Sequence, residues 1–260
     1  MGFNRTVHLK AIHSVLDYIN SINDSPYVLK GGTALSLCYG LNRFSEDIDL
    51  DCPARTNHKR LAKLVDELCR KYGYSYRAAK DTPTTQRFYI DYGDSGHPLK
   101  VEVSYRRKEI DPKRFTCVEG YKVYTLDELA RLKAAAYSGR DKIRDLYDVT
   151  FLCTHYLDEL SESARDALSS ALEYKDLNQF DYIVQTQKDD LIDPDVLEDM
   201  FLQSFSALGL LDPSPDDVCD DIEVIDDLNV IESQLRAITA GQPSNGYHDD
   251  DSGPGSGALS

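Results

Sequence analysis

No run of about 18 apolar residues occurs in the chain, so nothing in it reads as a membrane-spanning helix. The N-terminus, MGFNRTVHLK, also lacks the apolar core of a signal peptide, and the expectation is a cytoplasmic protein with no membrane partner. There is no CxxC pair: Cys38, Cys52, Cys69, Cys117, Cys153 and Cys219 are scattered, with Cys38, Cys69 and Cys153 among apolar residues of expected helices. That spacing argues against a cysteine-based metal site or a disulfide framework and leaves buried thiols as the expectation. No internal repeat is present.

One further deficit is regional. Residues 189–228 contain 14 Asp+Glu and no Lys or Arg. A net charge of −16 for the whole chain would disfavour a phosphate-rich partner. Residues 1–188, however, hold 28 Lys+Arg against 27 Asp+Glu, so the body is close to neutral and a nucleic-acid partner stays open. The acidic stretch reads as a solvated helical face, or as a surface that meets a basic partner or masks a phosphate-binding cleft.

With 260 residues and 41% hydrophobic content, the chain can bury a substantial core. Leu9, Ile12, Leu16 and Ile19 recur at helical spacing behind Asn4 and Thr6, either of which can cap, and predict a helix over 6–22. A strand at 27–29, a helix at 33–39 stopped by Gly40, a strand at 47–51 and an amphipathic helix at 58–72 follow. Alternation predicts strands at 74–78, 87–91 and 99–106, separated by turn material at DTPT and DYGDSGHP. From Thr125 the pattern is helical: 126–138, 141–156, 159–174, 178–187, 194–208 and 221–238. The expected fold class is therefore α+β, with a core over 1–124, a helical domain over 125–240 and a disordered Gly/Ser/Pro/Asp-rich tail over 241–260.

The chemistry concentrates in KGGTALSLCYGLNRFSEDIDLD, residues 30–51. On a strand Asp47 and Asp49 share a face while Ile48 and Leu50 point into the core. Two carboxylates roughly 6–7 Å apart at their roots repel unless a cation lies between them. A hard divalent ion, most naturally Mg²⁺, supplies that cation and brings phosphates as further ligands. Upstream, Gly31, Gly32 and Thr33 form a glycine turn between a strand and a helix, where backbone N–H groups and a hydroxyl can meet phosphate oxygens at the helix N-terminus. Arg43 and Ser45 add a cation and a hydroxyl. Asp51, beside Cys52 and Pro53, has no company that the sequence identifies and reads as a bystander. Glu102, on the polar face of LKVEVSYR, could complete a metal triad with Asp47 and Asp49, or could simply pair with Lys100. In TLDELARLKAAAYSGRDKIRDLYDV, Lys133, Arg140 and Arg144 supply cations, and Asp145 and Asp148 lie three apart on one helical face.

Taken together, KGGTAL, RFSEDIDLD and the LK…R…RDLYD run resemble the AbiEii-type nucleotidyltransferase toxins of the polymerase β superfamily, over roughly residues 25–150. The resemblance implies a small mixed β-sheet with flanking helices, followed by a helical half that closes a nucleotide cleft. It implies that Gly31, Gly32 and Thr33 hold the phosphates of an NTP, that Asp47 and Asp49 bind Mg²⁺, that Lys133 meets the triphosphate and that Asp145 lies near the acceptor hydroxyl. Arg144 and Asp148 would be supporting neighbours, and Ser45 stands where some members carry a regulatory phosphoryl group. The family pairs with a winged-helix antitoxin in toxin–antitoxin or phage-defence modules, and some members add nucleotides to the 3′ end of tRNA. This chain has Gly-Gly-Thr where the superfamily often has Gly-Ser, and Glu102 where many have Asp. Two alternatives stay open: transfer to a protein or small-molecule hydroxyl, and a regulator that binds Mg²⁺·NTP without turnover.

Overall fold

The computed structural model describes residues 3–53, 58–93, 97–175 and 177–210. The expected helix at 221–238, the tail and Cys219 lie outside the described residues.

Asn4 caps the first helix, α1 (Arg5–Asn20), by accepting from the Val7 N–H at 3.2 Å, and α1 buries Ala11, Ile12, Val15, Leu16 and Ile19. Strand β1 (Val28–Lys30) runs directly into α2 (Gly31–Cys38), so the glycine pair is the first turn of the helix rather than a separate turn. Then come β2 (Asp47–Asp51), α3 (His58–Tyr72), β3 (Ser75–Thr82), β4 (Thr85–Asp91) and β5 (Leu99–Ser104). Half of the stretch DTPT is strand: β3 runs to Thr82, so only Pro83 and Thr84 lie between β3 and β4.

Two strands escaped the sequence reading, β6 (Phe115–Val118) and β7 (Tyr121–Tyr124). Glu119 and Gly120, with φ of 51° and 81°, link them in the twice left-handed geometry of a tight hairpin. β6 is an edge strand whose two middle residues are exposed, so it lacks the alternation that marks a half-buried strand.

The seven strands form one mixed sheet in the order β3-β4-β5-β2-β1-β7-β6. β2 lies antiparallel to β1 and parallel to β5, while β1 lies parallel to β7. Ile48, Leu50, Leu99, Val101 and Val103 are buried on one face, which turns Asp47, Asp49, Lys100 and Glu102 to the other.

Helices α4 (Leu126–Gly139), α5 (Ile143–Tyr156), α6 (Glu162–Tyr174), α7 (Leu177–Thr186) and α8 (Pro194–Ala207) complete the described chain. Thr125 caps α4 by accepting from Glu128 N–H. α5 is buried along most of its length, from Ile143 to Cys153, between α4, α6 and α8. Sheet and helices share one continuous apolar core, and the described residues fall within a single compact unit ending at Leu211. Cys52, Cys69 and Cys153 are buried and Cys38 is half-buried, but Cys117 is exposed on β6, which corrects the expectation of uniformly buried thiols.

Candidate active site

A cleft of about 700 Å³ opens over the polar face of β2 and β5. Gly32, Ser45, Asp47, Asp49, Lys100 and Glu102 line its sheet side, and Lys133, Arg140, Arg144 and Asp145 its helical side.

The parallel register sets Asp47 beside Lys100 and Asp49 beside Glu102, while the antiparallel register sets Arg87 opposite Glu102. Lys100 is ion-paired with Asp47, and Arg87 holds Glu102 through Nε at 2.6 Å and Nη2 at 2.5 Å. Glu102 therefore pairs with Arg87 rather than with Lys100. Burial pushes the Asp49 carboxyl above the ordinary carboxylate range, with Asp47 and Glu102 adding repulsion and Lys100 and Lys30 opposing it. Burial alone would lower the Lys100 ammonium, but Asp47, Asp49 and Glu102 together hold it above its ordinary value. The three candidate metal ligands thus share one face, but Asp47 and Glu102 are engaged in ion pairs. Among the described residues no three His, Cys, Asp or Glu are gathered to hold a metal ion.

The N-terminus of α2 is fitted closely to these carboxylates. Gly31 has φ +77°, and a Cβ there would lie 3.0 Å from Asp49 Oδ2. A Cβ on Gly32 would lie 2.6 Å from Arg43 Nη2 and 2.9 Å from Ser45 Oγ, so only glycine lets the guanidinium pack beneath this turn. Thr33 is buried; its hydroxyl donates to the Asp47 carbonyl and lies 2.9 Å from Ser45 Oγ. Its role is thus to tie α2 to the start of β2, and it does not line the cleft. Ser45 does.

Arg43 does not stand in the cleft as a loose cation. It is 5% exposed and forks onto Asp148, with Nε–Oδ1 and Nη2–Oδ2 both 2.6 Å. Lys133 reaches the same carboxylate and lies 4.0 Å from Asp145. Burial would raise the Asp148 carboxyl, but the cations Lys133 and Arg43 reverse this and hold it below its ordinary value. Arg140 forks onto Asp145 through Nε at 2.6 Å and Nη2 at 3.1 Å. Arg144 bridges Asp189 and Glu46, the latter at 3.5 Å. Each of the three arginines expected near phosphate is therefore held by a carboxylate.

Sequence reasoning missed several contributors. His8 of α1 donates from Nε2 to the Glu46 carbonyl at 2.8 Å, and its Nδ1 lies 2.6 Å from the Tyr92 hydroxyl, which fixes the backbone just before Asp47. Asp51 is no bystander: it is 2% exposed, 2.5 Å from Lys30 Nζ, 2.8 Å from the Tyr124 hydroxyl and 3.4 Å from Arg107 Nε. Long-range pairing left no mark in the local sequence for either residue. The acidic stretch also enters the site, since Asp189 lines the cleft and its neighbour Gln187 accepts from the Ile143 N–H at 3.1 Å.

The mixed sheet thus carries two strand carboxylates on one side of the cleft, opposite a buried lysine–aspartate wall. The chain belongs to the AbiEii family: the family model described as "Nucleotidyl transferase AbiEii toxin, Type IV TA system" matches residues 15–222. It is accordingly a nucleotidyltransferase of a toxin–antitoxin family, which implies a nucleotide substrate and an antitoxin partner. No curated protein matches. Among solved structures, JHP933 from Helicobacter pylori is similar at 28% identity, covering 90% of this chain and 97% of that one, with a TM-score of 0.65. A second Helicobacter pylori structure, carrying a provisional nucleotidyltransferase assignment, is 29% identical over 79% of this chain and 93% of its own, with a TM-score of 0.65.

Proposed function

We propose that this toxin transfers a nucleotidyl group from an NTP to an RNA hydroxyl, with the 3′ end of tRNA as acceptor and Mg²⁺ as cofactor. The observation that carries the reading is Asp47 and Asp49 on one strand face, across a single cleft from Lys133 and Asp145. Hard oxygen donors suit Mg²⁺, and Asp49 is a half-buried carboxylate in the cleft wall whose desolvation its neighbours compensate only in part. Asp47, Asp49 and, once released from Arg87, Glu102 would hold the ion, which when bound supplies neutralisation of triphosphate charge and activation of the attacking hydroxyl.

In this reading residues 1–124 and the helices from 125 onward form the two halves of the cleft. The first turn of α2 presents its N–H groups at Gly31 and Gly32 to phosphate oxygens. Lys133, held in place by Asp148, gives the helical side a fixed positive charge for the triphosphate. Asp145, oriented by Arg140, marks where the acceptor hydroxyl enters. The acceptor oxygen bonds to the α-phosphorus, the bond from that phosphorus to the bridging oxygen breaks, pyrophosphate leaves, and the hydroxyl proton passes to a cleft carboxylate.

The near-neutral charge of residues 1–188 is compatible with an RNA acceptor. Purified protein incubated with NTPs labelled on the α-phosphate, Mg²⁺ and total tRNA should label an RNA band, and Asp47→Ala or Lys133→Ala should abolish the signal. Label on a protein or small molecule instead would overturn the RNA acceptor. Nucleotide binding with no pyrophosphate release would point to the regulator without turnover.

A further inference from the structure

The cleft carries its own cation. Lys100 is ion-paired with Asp47, which its register makes its neighbour, and the charges of Asp49 and Glu102 act on it as well. Its side chain is 25% exposed and that of Asp47 40%, so this pair can be parted from the cleft side without opening the sheet. The neighbouring pair is built differently. Arg87 grips Glu102 through two guanidinium nitrogens, whereas a lysine is a point charge on a flexible stem that can rotate to a new partner.

We propose that Lys100 is an exchangeable counter-ion: it takes the place of the divalent cation on Asp47 in the empty cleft and turns to the NTP phosphates when that cation arrives. The inference rests on the nucleotidyl-transfer reading of the cleft. Without Lys100, Asp47 and Asp49 would face each other with their repulsion little relieved. Its presence means that a bare cation must displace an ammonium, which then loses its ion-pair partner in a part-buried site. A metal–nucleotide complex removes that difficulty, because the phosphates provide the anion as the metal takes the carboxylate. The two ligands should therefore bind better together than either does alone, with Lys100 as the physical link between them. Through this one residue the toxin would favour metal–NTP over free metal.

Mn²⁺ serves as the spectroscopic probe, titrated into the full chain with and without a non-hydrolysable NTP analogue. Lys100→Met should bind Mn²⁺ about tenfold tighter than wild type in the absence of nucleotide, and its gain from the analogue should shrink. Metal-free Lys100→Met should melt below wild type and recover more than wild type when Mg²⁺ is added. Lys100→Arg, which keeps the charge, should retain the weak affinity for bare metal and covers the case in which the Met variant does not fold. Equal or weaker Mn²⁺ binding by folded Lys100→Met, or Lys100→Arg binding as tightly as the Met variant, would overturn the role of Lys100 and leave nucleotidyl transfer standing. Failure of wild type and both variants to bind Mn²⁺ with or without the analogue would overturn both.

Discussion

Asp148 is closed to solvent and meets two cations at once, Arg43 from the loop before β2 and Lys133 from α4. That single carboxylate joins the sheet side of the cleft to its helical side. Its pKa lies below the ordinary carboxylate value, so the pair stabilises the fold fully above the unfolded-state pKa of about 3.9. The contribution is lost as pH falls below that value and through the lower folded pKa. Asp148→Asn should cost about 3–5 kcal/mol at neutral pH, because two buried cations lose their partner. Denaturant unfolding measured from pH 7 down to acid should show this loss and a flattened acid limb in the variant. The residue types of the site were legible in the sequence: strand periodicity put Asp47 and Asp49 on one face, and helical spacing put Asp145 beside Asp148. Their partners were not. The Arg43–Asp148 pair spans 105 positions and the contact from His8 to Glu46 spans 38, distances over which local periodicity carries no information.

At the scale of elements, the helices were read within a few residues because each combines an apolar stripe with a recognisable start, such as Thr125 before α4. Edge strands were harder. β6 is exposed at its centre and lacks the inside–outside alternation of a half-buried strand, and β3, exposed along nearly its whole length, was legible only over 74–78. The largest correction concerns the acidic stretch. Charge alone made residues 189–228 read as a solvated face or a surface for a partner, with no sign of the core that part of it helps to build. Within it, however, α8 buries Leu197, Met200, Phe201 and Phe205, and Phe201 stacks on Phe180 of α7 at 4.1 Å between ring centroids. On the same helix Asp195 and Asp199 are exposed, so these acids lie on the solvent side of a core helix. Phe201→Ala should cost about 3–5 kcal/mol. Removal of 189–228 should therefore give a protein that has lost cooperative thermal unfolding rather than an active truncation, a difference that calorimetry resolves.

Across the whole molecule, charge is sorted rather than merely abundant. Carboxylates and cations of residues 30–189 interlock around one cleft, and the surplus acid lies in the chain after Lys188. Among the described residues no helix is long and apolar enough to cross a membrane. Most of the lining cations are already matched by carboxylates, so an anionic nucleotide would compete with ion pairs such as those of Lys100 and Arg140. The claim that unites these scales is that this cleft cuts an NTP between its α- and β-phosphates. The most direct measurement compares NTP labelled on the α-phosphate with NTP labelled on the γ-phosphate, using wild type and Asp49→Asn. The account predicts that α-label enters the acceptor, that γ-label leaves in pyrophosphate, and that Asp49→Asn does neither. Transfer of γ-label to the acceptor, or α-label transfer undiminished in Asp49→Asn, would contradict it.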